Sequence, residues 1–220
     1  MMNIEELKNK ITLGDCLEVM KQLPDKCIDL ILTDPPYGIN YSKNPHSNSK
    51  MNKKGWDNST PPDEIFLEMF RVSKNQIIFG GNYFPILWKY GGRGFIFWNK
   101  QTFVPNFADG ELAWTSFDRV AKCYNFQWAG FIKTGETEKA IHPTQKPLRL
   151  FEMILRDYAA PEPSGGGLLV ADFFSGSGTT AVACHNLGLD FIAVEKDAEY
   201  YEKSVQRLAD AQAQQKLFYL

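Results

Sequence analysis

Leu168-Leu169-Val170-Ala171-Asp172-Phe173-Phe174-Ser175-Gly176-Ser177-Gly178-Thr179-Thr180 is an apolar run that breaks into a glycine-rich turn, and Ala181-Val182-Ala183-Cys184 continues it as a helix. A short apolar run bounded by turn residues reads as a buried strand. A second such run, Phe191-Ile192-Ala193-Val194, ends in Glu195, 17 residues after Gly178. Strand, glycine turn, helix and a strand ending in an acid form a mononucleotide-binding unit of an α/β sheet. Gly176 and Gly178 let backbone approach a ligand closely, and the helix N-terminus suits a carboxylate or other anion. The acid at the end of the second strand suits the hydroxyls of a ribose.

What the block lacks narrows the ligand. No Gly-Lys-Ser or Gly-Lys-Thr phosphate cradle follows, which disfavours ATP hydrolysis. The turn has one glycine fewer than the dinucleotide fingerprint, so NAD fits less well. A nucleoside with an amino-acid end, S-adenosylmethionine, matches best, with the acid on its ribose and the glycine turn on its methionine part.

The other informative stretch is Thr33-Asp34-Pro35-Pro36-Tyr37-Gly38, behind the apolar strand Ile28-Asp29-Leu30-Ile31-Leu32. Two prolines stop that strand, because neither supplies a ladder N–H and each fixes its φ. A rigid loop at a strand end falls where ligands bind an open α/β sheet. Asp34 offers a carboxylate, Pro35 a carbonyl and Tyr37 an aromatic face. Two such acceptors can take both hydrogens of a planar amino group while the ring stacks on the heterocycle that bears it.

The chain has 220 residues, 44% of them apolar, enough for one well-buried domain, and a formal charge of -2. It is therefore not a globally basic nucleic-acid coat, and contacts to phosphates need a local patch. Lys43, Lys50, Lys53 and Lys54 supply one between Gly38 and Trp56, with no acid among them. Cys16, Cys27, Cys123 and Cys184 are too scattered for a zinc spacing, so no metal site is expected, and free thiols fit a reducing compartment. Neither a signal peptide nor a membrane span is legible, which points to the cytoplasm.

Along the chain, a polar lead-in of helical character precedes the strand Ile11–Leu13, and a helix is expected over Leu17–Leu23. Asp15 can cap that helix, face a ligand's adenine or ribose, or do both. Pro61-Pro62-Asp63-Glu64 opens a helix whose core stripe is Ile65, Phe66, Met69 and Phe70. Strands are expected over 76–79, 94–98 and 111–116, with extended structure and loops between Asn99 and Gly130. His142-Pro143-Thr144-Gln145-Lys146-Pro147 precedes a helix with Leu148, Leu150, Phe151, Ile154 and Leu155 inward, and Ala159–Gly167 reads as a linker.

Together the two blocks resemble the exocyclic-amino DNA methyltransferases, the adenine-N6 and cytosine-N4 enzymes of bacterial and phage modification systems. Asp34-Pro35-Pro36-Tyr37 is similar to their catalytic motif and Asp172–Thr180 to their cofactor motif. The catalytic motif comes first, as in the permuted β class, and His142–Pro147, Gly14-Asp15-Cys16 and Gly55-Trp56-Asp57 are similar to further stretches of that class. The resemblance implies a three-layer, Rossmann-like α/β fold with a mostly parallel sheet, an antiparallel strand and a circularly permuted motif order. It implies one methyltransferase domain over 1–220: a catalytic half over about 1–98, variable target-recognition segments over about 38–60 and 99–137, and a cofactor half over about 138–220. S-adenosylmethionine is the implied cofactor. Phe174, Ser175, Gly176, Ser177, Gly178 and Thr179 would line its methionine side, and Glu195 would hold its ribose. Asp15 and Cys16 would border its adenine, with Asp34, His142, Thr144 and Lys146 nearby.

The implied reaction is methylation of a flipped base in duplex DNA by Asp34, Pro35, Pro36 and Tyr37, with the lysine patch on the phosphates. Aspartate at the first motif position is more typical of adenine-N6 enzymes, so adenine is expected. Cytosine-N4 transfer, a non-catalytic cofactor- and DNA-binding subunit, and methylation of RNA or a protein glutamine remain the alternatives. The apolar tail Leu217–Leu220 offers a contact for a homodimer.

Overall fold

Two runs of alternating apolar side chains, one for each face, make the central sheet of this computed structural model, which describes residues 3–40, 57–91, 93–102, 108–129, 132–133, 140–159 and 167–218. The strands are β1 (Lys10–Leu13), β2 (Ile28–Thr33), β3 (Ser73–Phe79), β4 (Phe95–Asn99), β5 (Gly110–Thr115), β6 (Lys122–Asn125), β7 (Trp128–Ala129), β8 (Ile132–Lys133), β9 (Leu169–Asp172) and β10 (Asp190–Glu195). The helices are α1 (Ile4–Leu7), α2 (Cys16–Met20), α3 (Asp63–Val72), α4 (Leu148–Tyr158), α5 (Thr179–Leu187) and α6 (Ala198–Phe218).

Eight strands pair in the order β1-β10-β9-β2-β3-β5-β4-β6, and β7 and β8 form a separate two-stranded ribbon. The pairs from β1 across to β3 are parallel, β5 runs antiparallel to both β3 and β4, and β6 returns parallel to β4. The sheet is thus mostly parallel with an antiparallel strand set into it, as expected.

Alternation assigns each side chain to a layer. Leu30 and Leu32 of β2, Ile77 and Phe79 of β3, Val170 of β9, and Phe191 and Ala193 of β10 pack towards Leu150, Phe151, Ile154 and Leu155 of α4 and Ala181–Cys184 of α5. On the opposite face Ile31, Ile78, Ala171, Ile192 and Val194 meet Val19 and Met20 of α2 and Ile65, Phe66 and Met69 of α3. Each such aliphatic or aromatic side chain, fully buried, contributes on the order of 1.5–3 kcal/mol.

Three elements depart from expectation. α2 stops at Met20, with Leu23 N–H donating to the Met20 carbonyl in a tight last turn. β3 starts at Ser73, directly from the end of α3, because the Ser73 hydroxyl donates to the Met69 carbonyl and ends the helix there. The long helix α6 has no counterpart in the sequence reading. Lys43, Lys50, Lys53 and Lys54 lie outside the described residues, as do most of the linker and Tyr219 and Leu220 of the tail. No helix among the described residues is long and apolar enough to cross a membrane.

Candidate active site

Parallel pairing of β2 with β9 (Leu30 with Val170, Ile31 with Ala171) and of β9 with β10 puts the carboxyl ends of all three strands side by side. A cavity of about 400 Å³ opens there, and Asp34, Pro36, Gly176 and Glu195 all line it. The proline loop and the glycine turn, more than a hundred residues apart in the chain, therefore face one cleft.

The loop after β2 is held at both ends. Thr33, fully buried, donates its hydroxyl to Asp172 Oδ1 at 2.6 Å, and Thr180 donates to Asp172 Oδ2 at 2.5 Å. Gly38 has φ +72°, and a side chain there would meet Thr60 N at 2.9 Å, so glycine is required. The Gly38 N–H donates to Asp57 Oδ1 at 2.7 Å, which gives Asp57 a structural part, that of pinning the loop's far end.

Asp34 stands at the centre of a buried charge cluster. Its Oδ2 accepts from Lys146 Nζ, and its Oδ1 accepts from the Tyr37 hydroxyl at 2.6 Å. Lys146 Nζ also lies 3.1 Å from Glu111 Oε2, and Lys100 Nζ lies 2.5 Å from Glu111 Oε1. Burial pushes the Asp34 carboxyl up, with Lys146 opposing. Burial likewise works on Glu111, but Lys146 and Lys100 outweigh it and bring that carboxyl down to about 2. For Lys146, burial favours the neutral amine, yet Asp34 and Glu111 prevail and hold it above the usual lysine range. Burial and the two carboxylates push the Tyr37 phenol well up. Lys146 thus lies between the carboxyl groups of Asp34 and Glu111, beside a phenol held neutral. The Tyr37 ring does not lie open: one face is stacked on Tyr83, with centroids 4.9 Å apart and planes within 12°.

On the other side of the cavity both oxygens of Glu195 are engaged, Oε2 by Gly176 N–H and Oε1 by Asp197 N–H, each at 2.7 Å. Burial pushes its carboxyl up, against those two hydrogen bonds. Each oxygen keeps a second lone pair for a ligand hydroxyl. Cys16, His142, Thr144, Lys146, Phe174, Ser175, Ser177 and Thr179 line the same cavity. His142 packs edge-on to Tyr200 with centroids 4.3 Å apart, and burial with the nearby Lys146 charge lowers it to about 4, so it is neutral.

Four expected residues do not line the cavity: Pro35 and Tyr37 of the proline loop, and Asp15 and Gly178 of the expected cofactor set. Asp15 caps α2, accepting from Leu17 N–H at 2.9 Å, and pairs with Lys196 at 2.9 Å, so its carboxylate is spent on the helix end and on a cation. Gly178, at φ +74°, begins α5 against α6. A side chain there would touch Ser204 at 3.1 Å and Ile11 at 3.3 Å, so its smallness serves packing. Gly176, by contrast, would point a side chain towards the cavity wall at His142, 3.8 Å away.

Lys196, Asp197 and Tyr200 line the cavity and escaped the sequence reading, while Gly14, Gln145 and Asp172 stood in its motif stretches without being singled out as site residues. Asp197 had a usable signal, since its carboxylate accepts from Glu199 and Tyr200 N–H in the manner of a helix cap. Glu111 and Lys100 were also missed, and nothing local marks them. The buried Ser175 hydroxyl has no hydrogen-bond partner among the described residues and borders the cavity. A buried polar group in that state suits a polar ligand, since leaving it unmatched costs about 1–3 kcal/mol.

Comparison with known proteins agrees with this geometry. A family model described as DNA methylase, of the N6/N4 methyltransferases, matches residues 113–206. The type II methyltransferase M.HinfI of Haemophilus influenzae is 27% identical over 94% of this chain and 70% of its own length. M2.MboI of Moraxella bovis, also a type II methyltransferase, is 24% identical over 88% of this chain and 85% of its own. Among solved structures, the M1.HpyAVI–SAM complex superposes with a TM-score of 0.60 at 26% identity, covering 90% of this chain and 98% of that one.

Proposed function

We propose, since this chain belongs to the N6/N4 exocyclic-amino DNA methylases, that it transfers a methyl group from S-adenosylmethionine to the N6 amine of an adenine that has left the duplex stack. The observation that carries this reading is the shared cavity, with Asp34 on one wall and Gly176 and Glu195 on the other. On this reading the whole chain works as one methyltransferase domain.

The residues present fit such a cofactor. Glu195 has lone pairs left for ribose hydroxyls, and the unmatched Ser175 hydroxyl beside Gly176 suits the polar amino-acid end. When bound, S-adenosylmethionine supplies an electrophilic methyl group on a sulfonium centre. The protein's task is to make a poor nucleophile attack it. The lone pair of an aromatic amine is delocalised into its ring, and two acceptors on the amine hydrogens pull the nitrogen towards tetrahedral geometry. Asp34 and the Pro35 carbonyl are those acceptors in our reading, and aiming a lone pair in this way is worth several kcal/mol. After transfer the nitrogen is cationic and sheds a proton readily, for which the Asp34 carboxylate is an adequate base. Taking the base out of the stack costs a few kcal/mol, least at a weak pair.

The test is incorporation of labelled methyl from S-adenosylmethionine into unmodified DNA, followed by digestion to nucleosides and mass analysis. N6-methyl-2′-deoxyadenosine is the expected product; N4-methyl-2′-deoxycytidine would move the chain to the other half of its family. Asp34→Ala should lower transfer at least a hundredfold with cofactor affinity kept, and full activity of that variant would remove the mechanism.

A further inference from the structure

The Asp34 carboxylate that the proposed reaction needs is already taken: Oδ2 by the Lys146 ammonium and Oδ1 by the Tyr37 hydroxyl. Each oxygen keeps a second lone pair, but an amine sharing Oδ2 with the Lys146 ammonium meets a carboxylate whose charge is already drawn to that cation, so its hold on Asp34 tightens as Lys146 withdraws. Lys146 is 7% exposed, so its ammonium cannot simply turn out into water, and releasing a buried cation from its counter-ion is costly unless another anion receives it. Such an anion is in place. Glu111 Oε2 lies 3.1 Å from the same Nζ and 3.2 Å from the Tyr37 hydroxyl, while Lys100 grips the other oxygen, Oε1, at 2.5 Å. The faces of Phe79 and Tyr37, 5.4 and 5.5 Å from Nζ, hold the ammonium within reach of both carboxylates.

We infer that Glu111 is a positioning residue for the transfer: it takes over the Lys146 ammonium when the target amine claims the Asp34 carboxylate. The inference rests on the reading of Asp34 as the amine's acceptor and adds what that reading lacks, a place for the cation it displaces. Before the base arrives, Lys146 bridges the two acids. With the base in place, Lys146 shifts to Glu111, already a neighbour, and the cluster's charge balance is unchanged. No side chain crosses the cavity, and the Lys100 contact is untouched. The exchange ties the antiparallel strand β5, remote in sequence from both motifs, to the reacting amine.

The experiment begins with the site at which the unaltered chain methylates genomic DNA, placed in a short duplex. Single-turnover transfer, steady-state KM and cofactor affinity are then compared for the parent, Glu111→Gln and Glu111→Asp. Glu111→Gln keeps the shape but removes the receiving charge. Transfer should slow at least tenfold, with cofactor affinity within twofold and DNA KM little changed, and Glu111→Asp should recover part of the rate. In the parent protein labelled with 15N-lysine, the Lys146 ammonium resonance should move when the duplex is added with S-adenosylhomocysteine. Wild-type transfer by Glu111→Gln, or a Lys146 resonance that ignores the duplex, overturns the inference and leaves the methylase reading standing. If Glu111→Gln does not bind cofactor, Glu111→Asp decides: a slowed transfer with normal cofactor affinity supports the exchange, and a parental rate overturns it. Absence of any methyl transfer by the unaltered chain overturns the underlying reading instead.

Discussion

Replacing Asp172 with asparagine tests the physical basis of the cleft more directly than any change at its surface. Asp172 is 4% exposed and ends β9, and burial pushes its carboxyl up to about 6 despite hydrogen bonds from Thr180, Thr33 and Phe174 N–H. In the unfolded chain the same group titrates at its ordinary 3.8. Between these two values the folded protein keeps a proton that the unfolded chain has released, so folding stability falls as pH rises through the window and is level above about 6. At about 1.4 kcal/mol per pH unit, the gap is worth about 3 kcal/mol in total. Roughly 2 kcal/mol of it falls between about pH 4.5 and about pH 7. Asp172→Asn has no such proton to lose. Its amide oxygen can still accept one threonine hydroxyl, and the other hydroxyl can turn to donate elsewhere, as Thr180 already does towards the Leu32 carbonyl at 3.4 Å. A constant offset of about 1–2 kcal/mol from the weakened hydrogen bonds is expected, but the change with pH does not depend on it. Urea unfolding of parent and variant at a series of pH values gives the difference. It should move in the variant's favour by about 2 kcal/mol over that range. A difference that stays flat refutes the buried-carboxylate account.

Glu195→Gln keeps one acceptor for Gly176 or Asp197 N–H but loses the charge and one of the two 2.7 Å bonds. Hydrogen bonds to a charged group contribute about 1.5–3 kcal/mol. Calorimetric titration with S-adenosylmethionine should therefore show affinity lower by roughly ten- to a hundredfold, and an unchanged affinity would separate Glu195 from the ligand. Gly178→Ala places a Cβ at φ +74° and 3.1 Å from Ser204. Left-handed backbone costs a non-glycine residue about 1–2 kcal/mol, so a thermal midpoint lower by several degrees is expected, with cofactor affinity following only through stability.

How far the sequence reveals this molecule depends on how local each signal is. β2, β9 and β10 are continuous apolar runs because both faces of a parallel strand are buried, and each was legible without its neighbours. The glycine turn and the proline loop carry their own backbone chemistry and were equally plain. α6 was not, although Tyr200, Ser204, Arg207 and Leu208 recur on one buried face. Two of those four are polar: Ser204 donates to the Tyr201 carbonyl, and Arg207 to the Ser177 carbonyl at 3.1 Å, so hydropathy alone cannot show the stripe. Glu111 and Lys100 meet Asp34 and Lys146 only because β5 reverses direction between β3 and β4. That is a property of strand order, which no window of sequence contains. Lys146 was placed with the cofactor residues, and the structure adds that its ammonium is bonded to Asp34.

Strand register links these observations. Ile31 pairs with Ala171 across β2 and β9, which sets the carboxyl ends of the two strands level and lets Thr33 reach Asp172 Oδ1 at 2.6 Å. A slip of one residue would turn Thr33 to the opposite face of the sheet, because side chains alternate with a period of two. Asp34, the next residue, would move with it, away from Lys146 and out of the wall it shares with Gly176 and Glu195. The Thr33–Asp172–Thr180 set thus does for the register what a ligand cannot. It forms part of the cavity wall and fixes where the proline loop begins. The hydrogen bonds to this buried carboxylate form only in the native register, whereas an apolar residue there would pack without that constraint. Asp172→Leu should therefore be more damaging to methyl transfer than to stability. A variant that kept both would show that the apolar faces alone set the register.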